Sequence, residues 1–322
     1  MTSRMHGTQA SQTNSSNNAH MSRINELQNT KSSLELLASQ RCLYSQVKRI
    51  LFYRGLLALG IAIAFPIISA AHPASGFYLA LGAFTYLIAD LVILQNGESR
   101  KKILAAKIQE KFDTEVLSIR WNPIVSEEKP DFEDVAKHGY KIFEREVDKL
   151  RNWYPPNVSS LPEELAKTIC QRANVWWDSK LRRKYSRLLI ILMAIITISL
   201  IIIVKDKTVA EAFVIVTPFT PLLKMAFEQF SSHRKSADRL DKLKNHLNTA
   251  IDTMTTKPSN VVQESTTRSI QDEIYRHRSS STPIPSIFYW FFKKQYEDGM
   301  NFSANKFIED YLAVNDLDRQ RS

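Results

Sequence analysis

Aromatic and arginine side chains are concentrated between Asn152 and Tyr185. An arginine guanidinium can hold a phosphate through two hydrogen bonds, and a tryptophan or tyrosine ring can stack on a nucleobase. The candidate ligand-binding residues of this stretch are Trp153, Tyr154, Arg172, Trp176, Trp177 and Arg182. The stretch therefore contains the groups that would bind phosphates and flat rings.

A simpler interpretation of these residues is an aromatic belt at a membrane surface, followed by stop-transfer charges. At about 1.5 Å per helical residue, Trp176 and Trp177 lie about 17 Å before the apolar run that starts at Leu188. That distance is large for a belt and favours ligand binding or packing inside a domain. Arg172 and Asp178 could equally form a salt bridge within such a domain.

Three charged residues stand near the ends of apolar runs, where charges are costly. Counted from the short loops between runs, Arg54, Asp90 and Lys224 fall within one helical turn, about 5.4 Å, in depth. A structural ion pair of Asp90 with Arg54 or Lys224 is one interpretation. The other is a charged ring at the inner mouth of a pore.

Two prolines interrupt the last apolar run in the string "VTPFTPLLK". Pro218 and Pro221 each remove a backbone hydrogen bond and are expected to kink the helix. Thr217 and Thr220 can bond to the freed carbonyl groups. A gating helix would use such kinks, although they are also common in ordinary membrane helices.

The elements that carry these residues are four apolar runs, at 55–71, 76–94, 188–204 and 209–227. A spanning helix needs about 20 apolar residues, with a range of about 17–25. Only "HPAS" separates the first two runs and only "KDKT" the last two. The sequence therefore predicts two transmembrane hairpins, residues 55–94 and 188–227, and the absence of a polar face disfavours a soluble core.

Lysine and arginine residues flank the runs unequally. The two short loops contain only Lys205 and Lys207, whereas the opposite side carries many, including five between 180 and 187. Such residues are retained in the cytoplasm. Both termini and the long middle segment are therefore predicted to be cytoplasmic, and the net charge of +10 suits phosphates or an anionic membrane surface.

Helical periodicity dominates the polar segments. They are predicted as a cytoplasmic helix over 31–54 and helical cytoplasmic segments over 95–187 and 228–322, while the Ser/Asn-rich residues 1–30 are predicted to be disordered. The predicted fold class is an all-α membrane protein, with four transmembrane helices in two hairpins and a helical cytoplasmic domain from the middle and C-terminal segments.

Two apolar features of the C-terminal segment, 228–322, can each be interpreted in two ways. A narrow seam over 236–254, which includes Leu240 and Leu247, suits either self-association or packing against the middle segment. The run 287–292 consists of six large apolar residues and is too short to span a bilayer. Interior packing of this run is favoured over a position at the membrane interface.

Catalytic signatures are missing from the sequence. It contains no G-x-G-x-x-G, no P-loop, no H-E-x-x-H and no C-x-x-C motif, and Cys42 and Cys170 lack metal-ligand spacing. Glycine is scarce, with eight residues, which disfavours loops that cradle phosphates. We expect a protein that is not an enzyme and that holds neither a metal nor a cofactor.

Several strings resemble one known family, the SMODS-associating four-transmembrane effectors. The strings are "NWYPPNVSSLPEELAKTICQRANVWWDSKLRRKY", "INELQNTKSSLELLASQRCLYSQVKRI", "FDTEVLSIRWNP" and "IQDEIYRHRSSSTPIPSIFYWFFK". The resemblance covers about residues 24–313.

This resemblance implies a multi-pass protein of the bacterial inner membrane that acts in antiphage defence. Its activating ligand would be a cyclic di- or oligonucleotide, made by a cGAS/DncV-like nucleotidyltransferase encoded nearby. The effector would then oligomerise or open to form a pore that depolarises the membrane. Direct binding of DNA or RNA is not expected.

Two interpretations of the function remain open beside an enzyme. In the first, a homo-oligomer forms the pore, with the 236–254 seam as the candidate interface, because four thin helices rarely enclose a polar lumen. In the second, the protein is a non-conducting membrane sensor or scaffold that binds a partner protein.

Overall fold

The computed structural model describes residues 22–256 and 264–321, and every regular element in those two stretches is a helix. The helices are α1 (Ile24–Leu27), α2 (Lys31–Ala71), α3 (Gly76–Ala89), α4 (Gln95–Val116), α5 (Pro123–Ser126), α6 (Phe132–Glu146), α7 (Glu163–Val204), α8 (Val209–Val216), α9 (Thr220–Thr256), α10 (Glu264–Ser280) and α11 (Ser286–Arg321). The predicted all-α fold is confirmed.

Four helical stretches in the described part are long and apolar enough to cross a membrane: Lys31–Ala71, Pro73–Val116, Glu163–Val204 and Val209–Thr256. A short turn, Pro73–Ser75, joins the first two, and α7 and α8 are separated only by residues 205–208. Apolar side chains such as Ile67, 63% exposed, and Ile201, 61% exposed, cover the outside of these helices. Such a surface requires lipid around it.

The spanning helices continue far outside the apolar runs. α2 has 41 residues and α7 has 42, so each is about 60 Å long at about 1.5 Å per residue, twice the thickness of a hydrocarbon core. The N-cap of α2 is Thr30, whose hydroxyl accepts from the backbone N–H of Ser33.

The prolines of the last span lie between α8 and α9. A short 3₁₀ turn, Thr217–Phe219, contains Pro218 and separates the two helices. The hydroxyl groups of Thr217 and Thr220 donate to the carbonyls of Phe213 and Thr217, each at 2.7 Å. Both carbonyls also accept a backbone N–H, so they are not the freed carbonyl groups that were expected as partners from the sequence. The expectation for Pro221 is corrected, because it lies in the first turn of α9, where a missing N–H breaks no helical bond.

The core of the extramembrane domain includes residues predicted to be disordered. Ile24 is 2% exposed, and the Gln28 side chain accepts from the backbone N–H of Tyr154 at 2.7 Å and donates to its carbonyl at 3.3 Å. The predicted disorder over 1–30 is therefore wrong for residues 22–30. Residues 1–21 lie outside the described part.

The seam over 236–254 faces the protein's own chain. Leu240 and Leu247 are buried in a cluster with Val175 of α7 and with Ile270 and Ile274 of α10. The interpretation as packing against the middle segment is confirmed. Because the seam is covered, it cannot serve as the oligomer interface considered above.

The aromatic run at the start of α11 divides between two environments. Phe288, Tyr289 and Phe292 pack on a small core around Leu181, as the favoured interpretation predicted. Ile287, Trp290 and Phe291 point outwards and are exposed. Helical geometry, rather than the run as a whole, therefore decides which side chains are buried.

We expect Gly299→Ala to destabilise the docking of α11 by about 1–3 kcal/mol, the usual range for overpacking. A Cβ atom on Gly299 would lie 2.8 Å from the ring of Trp176, which also packs on Tyr296. Thermal unfolding in detergent measures the effect. The matched control is Gly97→Ala, which meets no atom within 4 Å and should leave stability equal or slightly higher. Equal unfolding temperatures for the two variants would contradict this packing.

Candidate functional site

A cavity of about 250 Å³ lies where α2, α4, α7, α9 and α10 meet the segment that leads into α11. It is lined by Gln40, Tyr44, Lys48, Gln109, Trp153, Asn174, Val175, Trp177, Asp178, Leu181, Arg182, Leu240, Ile274, His277, Arg278, Ser281, Pro283, Ile284 and Tyr289. Four of the contributing helices, α2, α4, α7 and α9, are parts of candidate spans.

Aromatic side chains form much of the cavity wall. The rings of Trp177 and Tyr289 stack with centroids 5.7 Å apart and an interplanar angle of 30°. Trp153 also lines the cavity, and its buried Nε1 has no hydrogen-bond partner within the described part of the chain. A buried N–H without a partner is rare and marks a place where water or a ligand atom would bind.

The two arginines of the cavity are already neutralised. Arg182 donates through Nε to Asp178 at 2.9 Å and through Nη1 to the carbonyl of Thr282 at 2.9 Å. Arg278 forms an ion pair with the fully buried Asp113. These guanidinium groups therefore organise the cavity, and neither has its charge free for a ligand.

Lys48 is different from these arginines. Within residues 22–256 and 264–321 it forms no ion pair, and its ammonium lies 5.7 Å from the ring centre of Tyr289. Burial, together with the neighbouring charges of Arg41 and Arg182, lowers the pKa of Lys48 below its ordinary value. A partly buried cation without a counter-charge is an anion-binding group, because a bound anion would offset the cost of its burial.

Arg182 is held in place by Asp178, which also pairs with His277. Nε2 of His277 lies 2.5 Å from Oδ2 of Asp178, the same oxygen that accepts from Arg182. Burial alone would raise the pKa of Asp178, but the charges of Arg182 and His277 and their hydrogen bonds hold it well below its usual range. Asp178 is therefore an ionised anchor, and the predicted Arg172–Asp178 salt bridge is wrong.

His233 completes this network as a neutral ring. Its Nδ1 lies 3.0 Å from Nη1 of Arg182, which can only donate, so Nδ1 accepts and Nε2–H donates to Gln229 at 3.2 Å. Burial and the charge of Arg182 lower the pKa of His233 well below its ordinary value of 6.5. The folded protein therefore resists protonation at this position.

We expect stability to fall as the pH falls below about 6.5, because the unfolded chain then protonates His233 and the folded protein does not. The loss is about 1.4 kcal/mol for each pH unit until the folded pKa is reached. His233→Gln keeps one acceptor and one donor and should flatten the dependence of unfolding temperature on pH between about 6.5 and 5. The exposed His246→Gln is the control and should keep the parental slope. An unchanged slope in His233→Gln would contradict a neutral buried ring.

The structure places four of the six predicted ligand residues in or behind the cavity and the other two outside it. Trp153, Trp177 and Arg182 line the cavity, and Tyr154 lies behind it, where its hydroxyl donates to Asp113 at 2.7 Å. The other two contact α11 or α9: Trp176 packs on Tyr296, and Arg172 donates to Asn248 at 2.6 Å. For the residues in or behind the cavity, a role in ligand binding stays a prediction. For Trp176 and Arg172, the geometry gives no support for such a role.

Sequence reasoning missed several cavity residues. They are Tyr44, Lys48, His277, Arg278 and Tyr289. The strings "CLYSQVKRI" and "IYRHRSSSTPIPSIFYW" contain all five, and of these only Tyr289 also belongs to a feature that the sequence predicted to be packed, the apolar run 287–292. Their helical position just before a span, or just before the aromatic run, was the available signal.

A second polar site ties the spans together. Arg54 binds Asp90 through Nε at 2.6 Å and Nη2 at 2.9 Å, and its Nη1 binds Glu98 at 2.6 Å. Lys224 reaches the same Asp90 at 3.1 Å. We call Arg54, Asp90, Glu98 and Lys224 the charge cluster. It joins α2, the π-helical turn Asp90–Leu94, α4 and α9.

The charge cluster agrees with the ion pairing expected from depth alone. Arg54 and Asp90 are 6% and 5% exposed, so the pair is closed to solvent. Glu98 was not predicted, and it lies about two turns beyond Asp90 along the chain. Whether the cluster lines an open pore stays a prediction.

Four spans whose long extensions enclose one aromatic and cationic cavity define a multi-pass membrane protein with a helical domain built on its own spanning helices. The model of the SMODS-associating 4TM effector domain matches residues 22–307, so the chain belongs to this family of membrane effectors. It is 28% identical over 291 residues to a probable CBASS effector molecule of Bacillus cereus (strain VD146), over 85% of this chain and 95% of the relative. No solved structure matches the chain.

Proposed function

We propose that this protein is an inner-membrane effector of antiphage defence that a cyclic di- or oligonucleotide activates through the cavity. The observation that carries the proposal is Lys48, a cation that forms no ion pair within residues 22–256 and 264–321 and lies beside the stacked rings of Trp177 and Tyr289. Its family and its similarity to a probable CBASS effector supply the biological setting. The nucleotide would come from a neighbouring cGAS/DncV-like nucleotidyltransferase.

Each part of such a ligand has a partner in the cavity. Lys48 would bind a phosphate, the wall of Trp177 and Tyr289 would stack on a base, and the free Nε1–H of Trp153 would donate to an acceptor. The volume of about 250 Å³ lies just below the range of about 300–1,000 Å³ of ordinary ligand sites. We therefore expect one nucleotide unit to enter the cavity and the rest to lie at its mouth.

The helices around the cavity offer a direct route to the membrane. Lys48 and Arg54 lie on the same helix, six residues or about 9 Å apart, so a displacement at the cavity reaches the charge cluster along a rigid rod. We propose that ligand binding loosens the packing between α2, α4 and α9 and lets subunits assemble into a pore with all termini on the cytoplasmic side. The protein acts in this scheme without catalysis.

Release from liposomes that contain the full chain tests the proposal. Cyclic di- and trinucleotides are added singly, with linear dinucleotides as the matched control, and the release of a small dye or of potassium is followed. One cyclic nucleotide should trigger release, and Lys48→Met should abolish that response. Binding of no cyclic nucleotide would overturn the ligand assignment.

A non-conducting sensor or scaffold is the second candidate. It is favoured by one observation: Arg54, Asp90 and Glu98 are fully engaged with one another and are almost closed to solvent. A nucleotide that binds tightly without causing any release would support this candidate. Its binding site would still be the cavity, and the charge cluster would then only hold the spans together.

A further inference from the structure

We infer that the first turns of α11 form an interfacial anchor, in which Ile287, Trp290 and Phe291 insert among the lipid headgroups of the bilayer that the spans cross. These three side chains are 70%, 72% and 68% exposed. They occupy positions i, i+3 and i+4 of a helix and therefore form one face. An isolated apolar side chain on a surface is ordinary, whereas a contiguous face of three large ones requires a partner.

The opposite face of the same turns is fixed to the protein. The ring of Phe288 lies 5.1 Å from that of Tyr185 and 5.0 Å from that of Phe292. The ring of Tyr289 stacks on Trp177 of α7. The exposed face is therefore held outwards by packing and cannot turn into the core.

The first turns of α11 are its part nearest the membrane surface: Phe288 contacts Tyr185, while Tyr289 contacts Trp177, which is further from the span. Tyr185 precedes the span that begins at Leu188 by three residues, about 4.5 Å, and the headgroup layer on each side of a bilayer is about 5–8 Å thick. From there α11 runs away from the span beside α7, because Tyr296 contacts Trp176 and Phe307 contacts Arg172 further along. Only the beginning of α11 lies at the level of the headgroups.

The chemistry of this region fits a lipid partner better than a protein one. The tryptophan ring is amphipathic and is enriched at membrane interfaces. At the start of the first span, Phe52 and Tyr53 are 64% and 60% exposed, and they continue the lipid-facing surface of the spans at a similar level. Lys184, which lies 4.1 Å from the ring centre of Phe292, adds a positive charge for anionic headgroups.

Fluorescence quenching tests the anchor with the full chain in vesicles of phosphatidylcholine and phosphatidylglycerol. The signal of Trp290 is the difference between the parent and Trp290→Phe, which keeps an aromatic side chain. Lipids brominated near the top of the acyl chain should quench this signal, and aqueous iodide should not. The test needs no nucleotide, so its outcome is independent of the proposed function.

The same helix offers a matched control. Phe302 is 73% exposed and lies twelve residues, about 18 Å, further along α11 from Trp290. In the Trp290→Phe background, Phe302→Trp should be quenched by iodide and not by the brominated lipids. Quenching of Trp290 by iodide alone would overturn the inference. Quenching by neither reagent would also overturn it and would mean that another protein surface, such as a second copy of this chain, covers the face.

Discussion

Lys48→Met is expected to weaken the binding of the cyclic nucleotide that we propose as the activating ligand by about 10- to 100-fold. A hydrogen bond to a charged group contributes about 1.5–3 kcal/mol, and about 1.4 kcal/mol corresponds to a tenfold change in affinity. Lys48 is the cavity cation that forms no ion pair within the described residues, so its charge is available to a phosphate. Isothermal titration calorimetry on the full chain in detergent measures the change.

The controls distinguish the loss of the cavity lysine from the loss of a basic residue outside the cavity. Lys180→Met removes an exposed lysine from α7, and Arg172→Met removes a guanidinium that donates to Asn248 outside the cavity. Both variants should bind within about twofold of the parent, which is less than 0.5 kcal/mol. Loss of binding in Arg172→Met together with normal binding in Lys48→Met would refute the cavity assignment and return the site to the residues that the sequence first indicated.

The pH dependence of binding follows from the same side chain. Because burial and neighbouring charges lower the pKa of Lys48, it loses its proton at a lower pH than an ordinary lysine. Affinity for the nucleotide should therefore decline on the alkaline side sooner than a normal lysine would allow. In Lys48→Met this decline should disappear.

Arg54→Met is expected to destabilise the protein by about 3–5 kcal/mol, the cost of removing one partner from a buried ion pair. Without Arg54, Asp90 keeps Lys224 as a partner, while Glu98 loses the guanidinium that binds it at 2.6 Å. Asp90→Asn should cost less, because Arg54 then keeps Glu98 and Lys224 keeps Glu228. The unfolding temperature in detergent should therefore be lower for Arg54→Met than for Asp90→Asn.

Two further variants test whether the loss of stability comes from the unpaired carboxylate of the charge cluster. Arg54→Met combined with Glu98→Leu leaves no unpaired carboxylate at that position and should recover part of the lost stability. Asp206→Asn, in the exposed loop between α7 and α8, should change little. If Arg54→Met unfolds at the parental temperature, the cluster is solvated and does not hold the spans together. If the proposed function is right, Asp90→Asn should also raise dye release without any ligand.

Much of the membrane part followed from the sequence. Apolar run lengths and two short loops were enough to predict two hairpins, because a bilayer of fixed thickness leaves few alternatives. Depth along a helix is counted in residues, so the meeting of Arg54, Asp90 and Lys224 could also be predicted. The cost of leaving a charge unpaired at that depth made an ion pair the expected result.

The cavity depended on tertiary structure, because it is a matter of direction around a helix. Trp176 and Trp177 are adjacent in the sequence and both contact Tyr296 of α11, yet about 100° of rotation per residue places only Trp177 in the cavity wall. Lys48 and Tyr289 are far apart in the chain and meet only because α2 and α11 both border the cavity. The sequence by itself determined which residue types this protein contains and at which depth along the spanning helices each of them lies. Which of them face one another was decided by helix packing, since side-chain direction depends on how each helix is rotated against its neighbours.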